Sequence, residues 1–162
     1  YRDGKYISAI DAASALAATP AGARDNRIET DYISAKSMLA LGRREEALPI
    51  LERLSENCLL EEGAEAAYLL IQDAYDLGEF DRAETLVYSF SDSGTSHLYW
   101  LAKSFIVLGD SFAEREEWEQ AMATFESIRD GYEPKDGSDD IFSQVDMRID
   151  RLKEIMKDLQ EK

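Results

Sequence analysis

The sequence holds one cysteine, Cys58, and one histidine, His97. A lone cysteine cannot close an internal disulfide, and it leaves the redox compartment open, because proteins of oxidising compartments need not carry disulfides. Cys58 sits in the apolar run Asn57-Cys58-Leu59-Leu60 and reads as a small buried hydrophobe. One His and one Cys leave too few ligands for a structural zinc site. No apolar run approaches the roughly 18 residues of a membrane span, so no transmembrane segment is expected, and no signal peptide is visible. Cations are scarce too: 18 Lys+Arg stand against 34 Asp+Glu, a net charge of −16. Such a surface repels phosphate backbones, which argues against nucleic acid as a partner. The acid excess reads first as a solubility device and second as attraction for a basic partner.

Catalytic patterns are missing as well. There is no P-loop, no GxGxxG and no HExxH. His97 follows a polar loop at a helix start, a place for a solvated or capping residue, and no local motif sets it beside Cys58 or a serine with an orienting carboxylate. Carboxylates are plentiful, and Asp110 and Glu114 lie one helical turn apart, as do Gln72 and Asp76. Solvated helix faces account for them more simply than a glycosidase-like pair. The adjacent acids Glu61-Glu62 and Asp139-Asp140 lack EF-hand spacing. The expectation is a non-enzyme with no cofactor and no metal.

What is present is an internal repeat. The 162 residues, 44% apolar and 32% charged, suit one domain or one segment of a repeat array. Gly4-Lys5-Tyr6-Ile7-Ser8-Ala9 is echoed by Gly42-Arg43-Arg44-Glu45-Glu46-Ala47, by Gly78-Glu79-Phe80-Asp81-Arg82-Ala83 and by Glu116-Glu117-Trp118-Glu119-Gln120-Ala121. The alanines lie 38, 36 and 38 residues apart. A glycine ends one helix where φ must be unusual. An aromatic two residues on covers the turn, acids suit the positive start of the next helix, and the alanine lets two helices approach. Four and seven residues after each alanine come Ala13 and Leu16, Leu51 and Leu54, Val87 and Phe90, Phe125 and Ile128, one face of a helix each.

The segments before the turns are helical too. Ser96 to Glu114 carries Leu98, Leu101, Phe105, Leu108 and Phe112, with Gly109 placed for close packing. Asn26 to Leu41 carries Ala35, Met38 and Leu41, and Ala64 to Leu77 carries Ala67, Leu70, Ile71 and Ala74. Breaks fall at Thr19-Pro20-Ala21-Gly22, at Ser91–Ser96, where good N-cap residues end the loop, and at Pro134–Ser138. Pro49 is tolerable only in a first helical turn and would otherwise kink its helix. From Asp140 to about Leu159, Phe142, Val145, Ile149, Leu152, Met156 and Leu159 form a stripe suited to capping an exposed apolar face. The minority reading makes Phe142, Ile149, Leu152 and Met156 a weak homodimer seam.

These residues resemble the tetratricopeptide repeat family. The best match runs from Leu108-Gly109-Asp110 through Glu117-Trp118-Glu119-Gln120-Ala121 to Phe125 and Pro134; the next runs from Ala35 through Leu41-Gly42 to Glu46-Ala47. The resemblance covers about residues 1–134: a half-repeat at 1–20 and repeats at about 24–58, 62–92 and 96–134, followed by a capping helix at 139–162. It departs from the family in its period of 36–38, in Ile71 where a small residue is favoured, and in Tyr75, one place from the usual aromatic. The long period is similar to that of bacterial cell-envelope repeat proteins of the outer-membrane assembly and Tol–Pal accessory kind, so periplasm and cytoplasm both stay open. Entry in mid-repeat at Tyr1 reads as the C-terminal part of a longer protein.

The resemblance implies an all-α, right-handed superhelical solenoid of helix hairpins whose first helices line a concave groove. By that analogy the groove positions are Tyr32, Tyr68 and Ile106; Lys36, Gln72 and Asp110; Leu39, Tyr75 and the alanine at 113; and Lys103, with Glu29 and Glu65 at its equivalents. Tyrosines suit recognition, or else pack on the neighbouring repeat. With only Lys36 and Lys103 basic, a carboxylate clamp of the co-chaperone type is not expected. The implied function is a protein-interaction scaffold holding a peptide or partner domain. The alternative is a purely structural end of a solenoid, and a hydrolase using groove carboxylates ranks third.

Overall fold

In the computed structural model, residues 2–17 and 25–162 are described. Among them the chain is all-α, eight helices without a strand. They are α1 (Arg2–Ala17), α2 (Asp25–Ala40), α3 (Arg44–Ser55), α4 (Glu61–Asp76), α5 (Phe80–Asp92), α6 (Leu98–Glu114), α7 (Trp118–Gly131) and α8 (Ile141–Gln160). The Thr19–Gly22 break lies outside the described residues, as does the side chain of Leu16. The chain divides into two compact units, residues 1–70 and 71–162. In the first, α1 packs on α2 and α2 on α3. In the second, α5 packs on α6, α6 on α7 and α7 on α8, and α8 also reaches α6.

Three turns share one geometry. Gly42 and Gly78 each have φ of 73°, and Glu116 takes the same left-handed region at 60°. The amide of the left-handed residue donates to the carbonyl three residues back: Gly42 to Leu39 (3.0 Å), Gly78 to Tyr75 (2.9 Å) and Glu116 to Ala113 (3.0 Å). The next amide reaches five back: Arg43 to Met38 (2.8 Å), Glu79 to Ala74 and Glu117 to Phe112 (both 2.9 Å). This is the Schellman closure, which satisfies carbonyls a helix end leaves bare. The residues after the turn then set the following helix. Ala47, Ala83 and Ala121 donate its first backbone bonds, to Arg43, Glu79 and Glu117, and all three alanines are fully buried. Acids occupy each first turn (Glu45 and Glu46, Asp81, Glu119), where the helix dipole favours them. Phe80 covers its turn by meeting the Tyr75 ring at 5.6 Å.

The apolar residues four and seven places after the alanine are buried in α3, α5 and α7. The turns also settle the register around Ile71. Ala35, Ile71 and Gly109 each lie seven residues before the left-handed residue, and all three are buried. Leu51, Val87 and Phe125 hold the matching place on the following helices. Across the three positions the first-helix residue grows from Gly109 to Ala35 to Ile71 as the matching second-helix residue shrinks from Phe125 to Leu51 to Val87. At Gly109 the fit leaves no room for a side chain, since a Cβ would run into the Phe125 ring.

Several expectations need correcting. Gly4 lies inside α1 and has no positive φ. Glycine permits the left-handed turn without demanding it, and the alanine-rich stretch that follows, from Ala9 on, favours helix. Pro49 lies beyond the first turn of α3, yet the helix continues. Its exposed position lets water satisfy the Glu45 carbonyl that loses its donor. The N-cap of α6 is His97 itself, and its amide donates to Thr95 Oγ1 at 3.1 Å. The stripe expected on α6 is too narrow. Ala102, Ile106 and Val107 are buried as well, while Leu98 is half exposed, because α6 is packed by α5, α7 and α8. On α8 the buried stripe is Ile141, Val145, Ile149 and Leu152. Ile149 and Leu152, two of the four residues of the expected dimer seam, are therefore spent inside the chain. Phe142 and Met156 are only half-buried, and Leu159 is exposed.

Candidate interaction surface

In the first unit, α2 and α4 meet through a buried acid. Glu65 is 5% exposed. It accepts a hydrogen bond from the Tyr32 hydroxyl at 2.6 Å and an ion-pair bond from Lys36 Nζ. The Lys36 ammonium also lies 5.4 Å from the Tyr32 ring centroid. Burial first, then the Glu65 bond, raises the Tyr32 pKa. Burial alone would pull Lys36 down, but the Glu65 hydrogen bond and charge more than offset it and hold its pKa above the ordinary value. Leu39 and Tyr68 are half-buried.

In the second unit, the comparable positions also reach other helices. The Tyr75 hydroxyl donates to Glu114 at 3.3 Å. Burial, together with the charges of Asp110 and Glu114, pushes its pKa up to about 12. Asp110 takes a two-armed ion pair from Arg148 of α8, with Nε at 2.7 Å and Nη2 at 2.9 Å. Gln72 donates to Asp76 at 2.8 Å. Lys103 lies 5.5 Å from the Tyr99 ring centroid and 5.7 Å from that of Trp100. Ile106, assigned to the groove by analogy, is 3% exposed and belongs to the core.

Two further polar clusters were not evident from sequence. Arg115 binds Asp81 at 2.5 Å and Glu84 at 2.7 Å, tying the end of α6 to α5. Its Nε lies 2.9 Å from Glu117 as an ion pair without hydrogen-bond alignment, and the guanidinium stacks 5.1 Å from the Phe112 ring centroid. The second cluster pins the segment before α8. Tyr99 donates to Asp140 at 2.9 Å and Tyr132 donates to Asp139, while Tyr132 meets Phe142 edge-on at 5.9 Å. Burial would raise Asp140, but the Tyr99 and Gln144 hydrogen bonds outweigh it and lower its pKa. Several of these links join residues 31 to 41 apart, close to the repeat period. Opposite charges one period apart were the available signal.

Cys58 is buried and donates to the Ser55 carbonyl. No group of three or more His, Cys, Asp or Glu side chains suited to a metal ion occurs among the described residues. No helix among them is long and apolar enough to cross a membrane. No protein-family model matches the chain, and no curated protein or solved structure matches it. What the residues define is a class: an all-α protein of packed helices with repeated turn geometry.

Proposed function

We propose that the chain is a tetratricopeptide-type repeat scaffold, a solenoid of helix hairpins that binds a peptide or partner domain through its first-helix faces. The observation that carries this reading is the threefold recurrence of one turn, at Gly42, Gly78 and Glu116, each followed by a buried alanine. Such units stack and bury each other's faces, and binding is the usual work of the surfaces they build. Lys36, Leu39 and Tyr68 in the first unit, and Gln72, Tyr75 and Lys103 in the second, keep part of their side chains accessible. Tyr32 and Asp110 serve mainly to hold helices together.

Two experiments test this. Excising residues 43–78, which joins Gly42 to Glu79, should leave a folded, helical, shorter protein. An unfolded product would count against the repeat reading. Affinity capture with the intact chain should recover a partner that a Tyr68→Ala/Lys103→Ala variant of unchanged circular dichroism does not. Equal recovery would remove these faces from consideration.

A second reading, in which α8 chiefly covers the apolar side of α6 and α7, is favoured by the full burial of Ile141, Val145 and Ile149. On that view Val145→Asp would unfold the second unit, while substitutions at Tyr68 would matter to nothing.

A further inference from the structure

The start of α2, the end of α3 and the linker into α4 enclose a crevice of about 350 Å³ in the first unit. Its apolar lining is Ile28, Leu54 and Leu60. Leu54 is buried, but Ile28 keeps 36% and Leu60 37% of its surface exposed, and the adjoining Leu59 keeps 64%. Large aliphatic side chains gathered in the open around a concavity are the informative exception to ordinary surface composition. The volume falls at the low end of the roughly 300–1,000 Å³ range of ligand clefts. It admits one aliphatic side chain with its adjoining backbone and no larger body.

The polar lining gives the crevice a sign. Arg53 donates from Nε at 3.1 Å and from Nη2 at 2.9 Å, both to Asp31 Oδ2. Arg27, the other guanidinium in the lining, forms no ion pair with a described residue. Within the lining one carboxylate therefore faces two guanidinium groups, and the acids adjoining it in sequence, Glu29, Glu52, Glu56, Glu61 and Glu62, do not line the crevice. In a chain of net charge −16, this apolar recess carries a local cationic surplus. Guanidinium groups match carboxylates in shape as well as charge.

We propose that this crevice docks an acidic peptide segment. One aliphatic side chain seats against Ile28, Leu54 and Leu60, and a neighbouring carboxylate meets Arg27 and the outer edge of Arg53. The site uses none of the first-helix positions assigned above, so it stands or falls separately from them. The recognised feature is an Asp or Glu next to a Leu-like residue, the opposite charge from the basic partner that the overall acidity would attract.

The test is amide NMR of the full chain titrated with three capped dipeptides: acetyl-Asp-Leu-amide, acetyl-Asn-Leu-amide and acetyl-Asp-Gly-amide. The first should give saturable shifts centred on the amides of Ile28 and Leu60. The other two should bind about tenfold more weakly, the loss of roughly one charge-assisted contact or one buried side chain. Arg27→Gln, at an exposed position with no described pairing to lose, should weaken acetyl-Asp-Leu-amide by a similar factor and leave acetyl-Asn-Leu-amide unchanged. Equal shifts from all three probes, no shifts at Ile28 and Leu60, or indifference to Arg27→Gln would overturn the proposal. So would shifts at those amides on raising protein concentration alone, which would assign the crevice to self-association.

Discussion

The hairpins α2–α3 and α6–α7 are built on one plan with different residues. Both close through the same left-handed turn, one with Gly42 and the other with Glu116. Both bury a small residue seven places before the turn and a larger one at a matching place on the second helix: Ala35 and Leu51, and Gly109 and Phe125, the last two in direct apposition. Both send ion pairs from the first helix to a later one, but the burial differs. The acid that α2 reaches, Glu65, has a side chain 7% exposed, whereas Asp110 on α6 is 24% exposed and its partner Arg148 30%. Backbone geometry is thus the invariant of the plan. Side-chain volume and charge are exchanged between partners so long as each pair still fits.

The strongest way to break this comparison is at Gly109 and Phe125. Gly109→Ala should destabilise the second unit by about 2–3 kcal/mol, since the added methyl enters the Phe125 ring in a close-packed core. Phe125→Leu alone should cost about 1–2 kcal/mol through the cavity it leaves. Together they recreate the Ala-and-Leu pairing of α2–α3, and urea unfolding should show the double variant more stable than the sum of the two losses. Strict additivity would mean that the two positions do not exchange volume.

The ion pairs come next. Lys36→Met leaves Glu65 buried with only the Tyr32 hydroxyl, at an expected cost of about 2 kcal/mol at neutral pH, less than for a fully buried pair because Lys36 is 46% exposed. Arg148→Met strands a carboxylate that water reaches more readily, and about 1 kcal/mol is expected. Equal losses in chemical denaturation would show that burial of the acid does not set the difference.

The turns carry a smaller effect of opposite sign. A non-glycine residue in the left-handed region costs roughly 1–2 kcal/mol, so Glu116→Gly should stabilise by about 1 kcal/mol. Gly42→Ala should destabilise by a similar amount, although nothing crowds its Cβ position. A thermal melt of each variant, read against the parent, checks both signs.

What sequence showed of this plan follows from how far each contact reaches. A turn, a buried alanine and the residues four and seven places beyond it are local, and their spacing survives even where Glu116 replaces the glycine. Gly4 shows the limit of such reading: the same letters occur, and the chain stays helical because nothing in the phrase forbids it. Ile106 was misplaced because analogy assigned α6 one buried side, whereas three helices pack on it. The ties of Glu65, Arg148 and Arg115 lie about a period away along the chain. No short window holds both partners, and whether a charge one repeat distant is a partner or a solvated neighbour depends on helix packing. The crevice at Ile28 and Leu60 is no more legible in a short window, since it is assembled from three element ends.

The finest distinction between the two first-helix contacts is their response to alkali. Tyr75 loses its proton only at about 12 in the folded chain, against an ordinary 10.0, because burial and the charges of Asp110 and Glu114 disfavour the phenolate. The unfolded chain therefore releases that proton first. The stabilising contribution is complete below the ordinary value and decays as pH rises from there through the folded pKa. Tyr32 is displaced in the same direction by burial and Glu65, as are Tyr88 and Tyr132, and Lys36 decays in the same sense. The melting temperature should consequently fall through this range in the parent chain. Tyr75→Phe should flatten part of that fall, and Tyr32→Phe should flatten less of it. If the phenylalanine at 75 leaves the alkaline slope untouched, the hydroxyl is not held against Glu114 in solution, and the polar tie from α4 to α6 is packing alone.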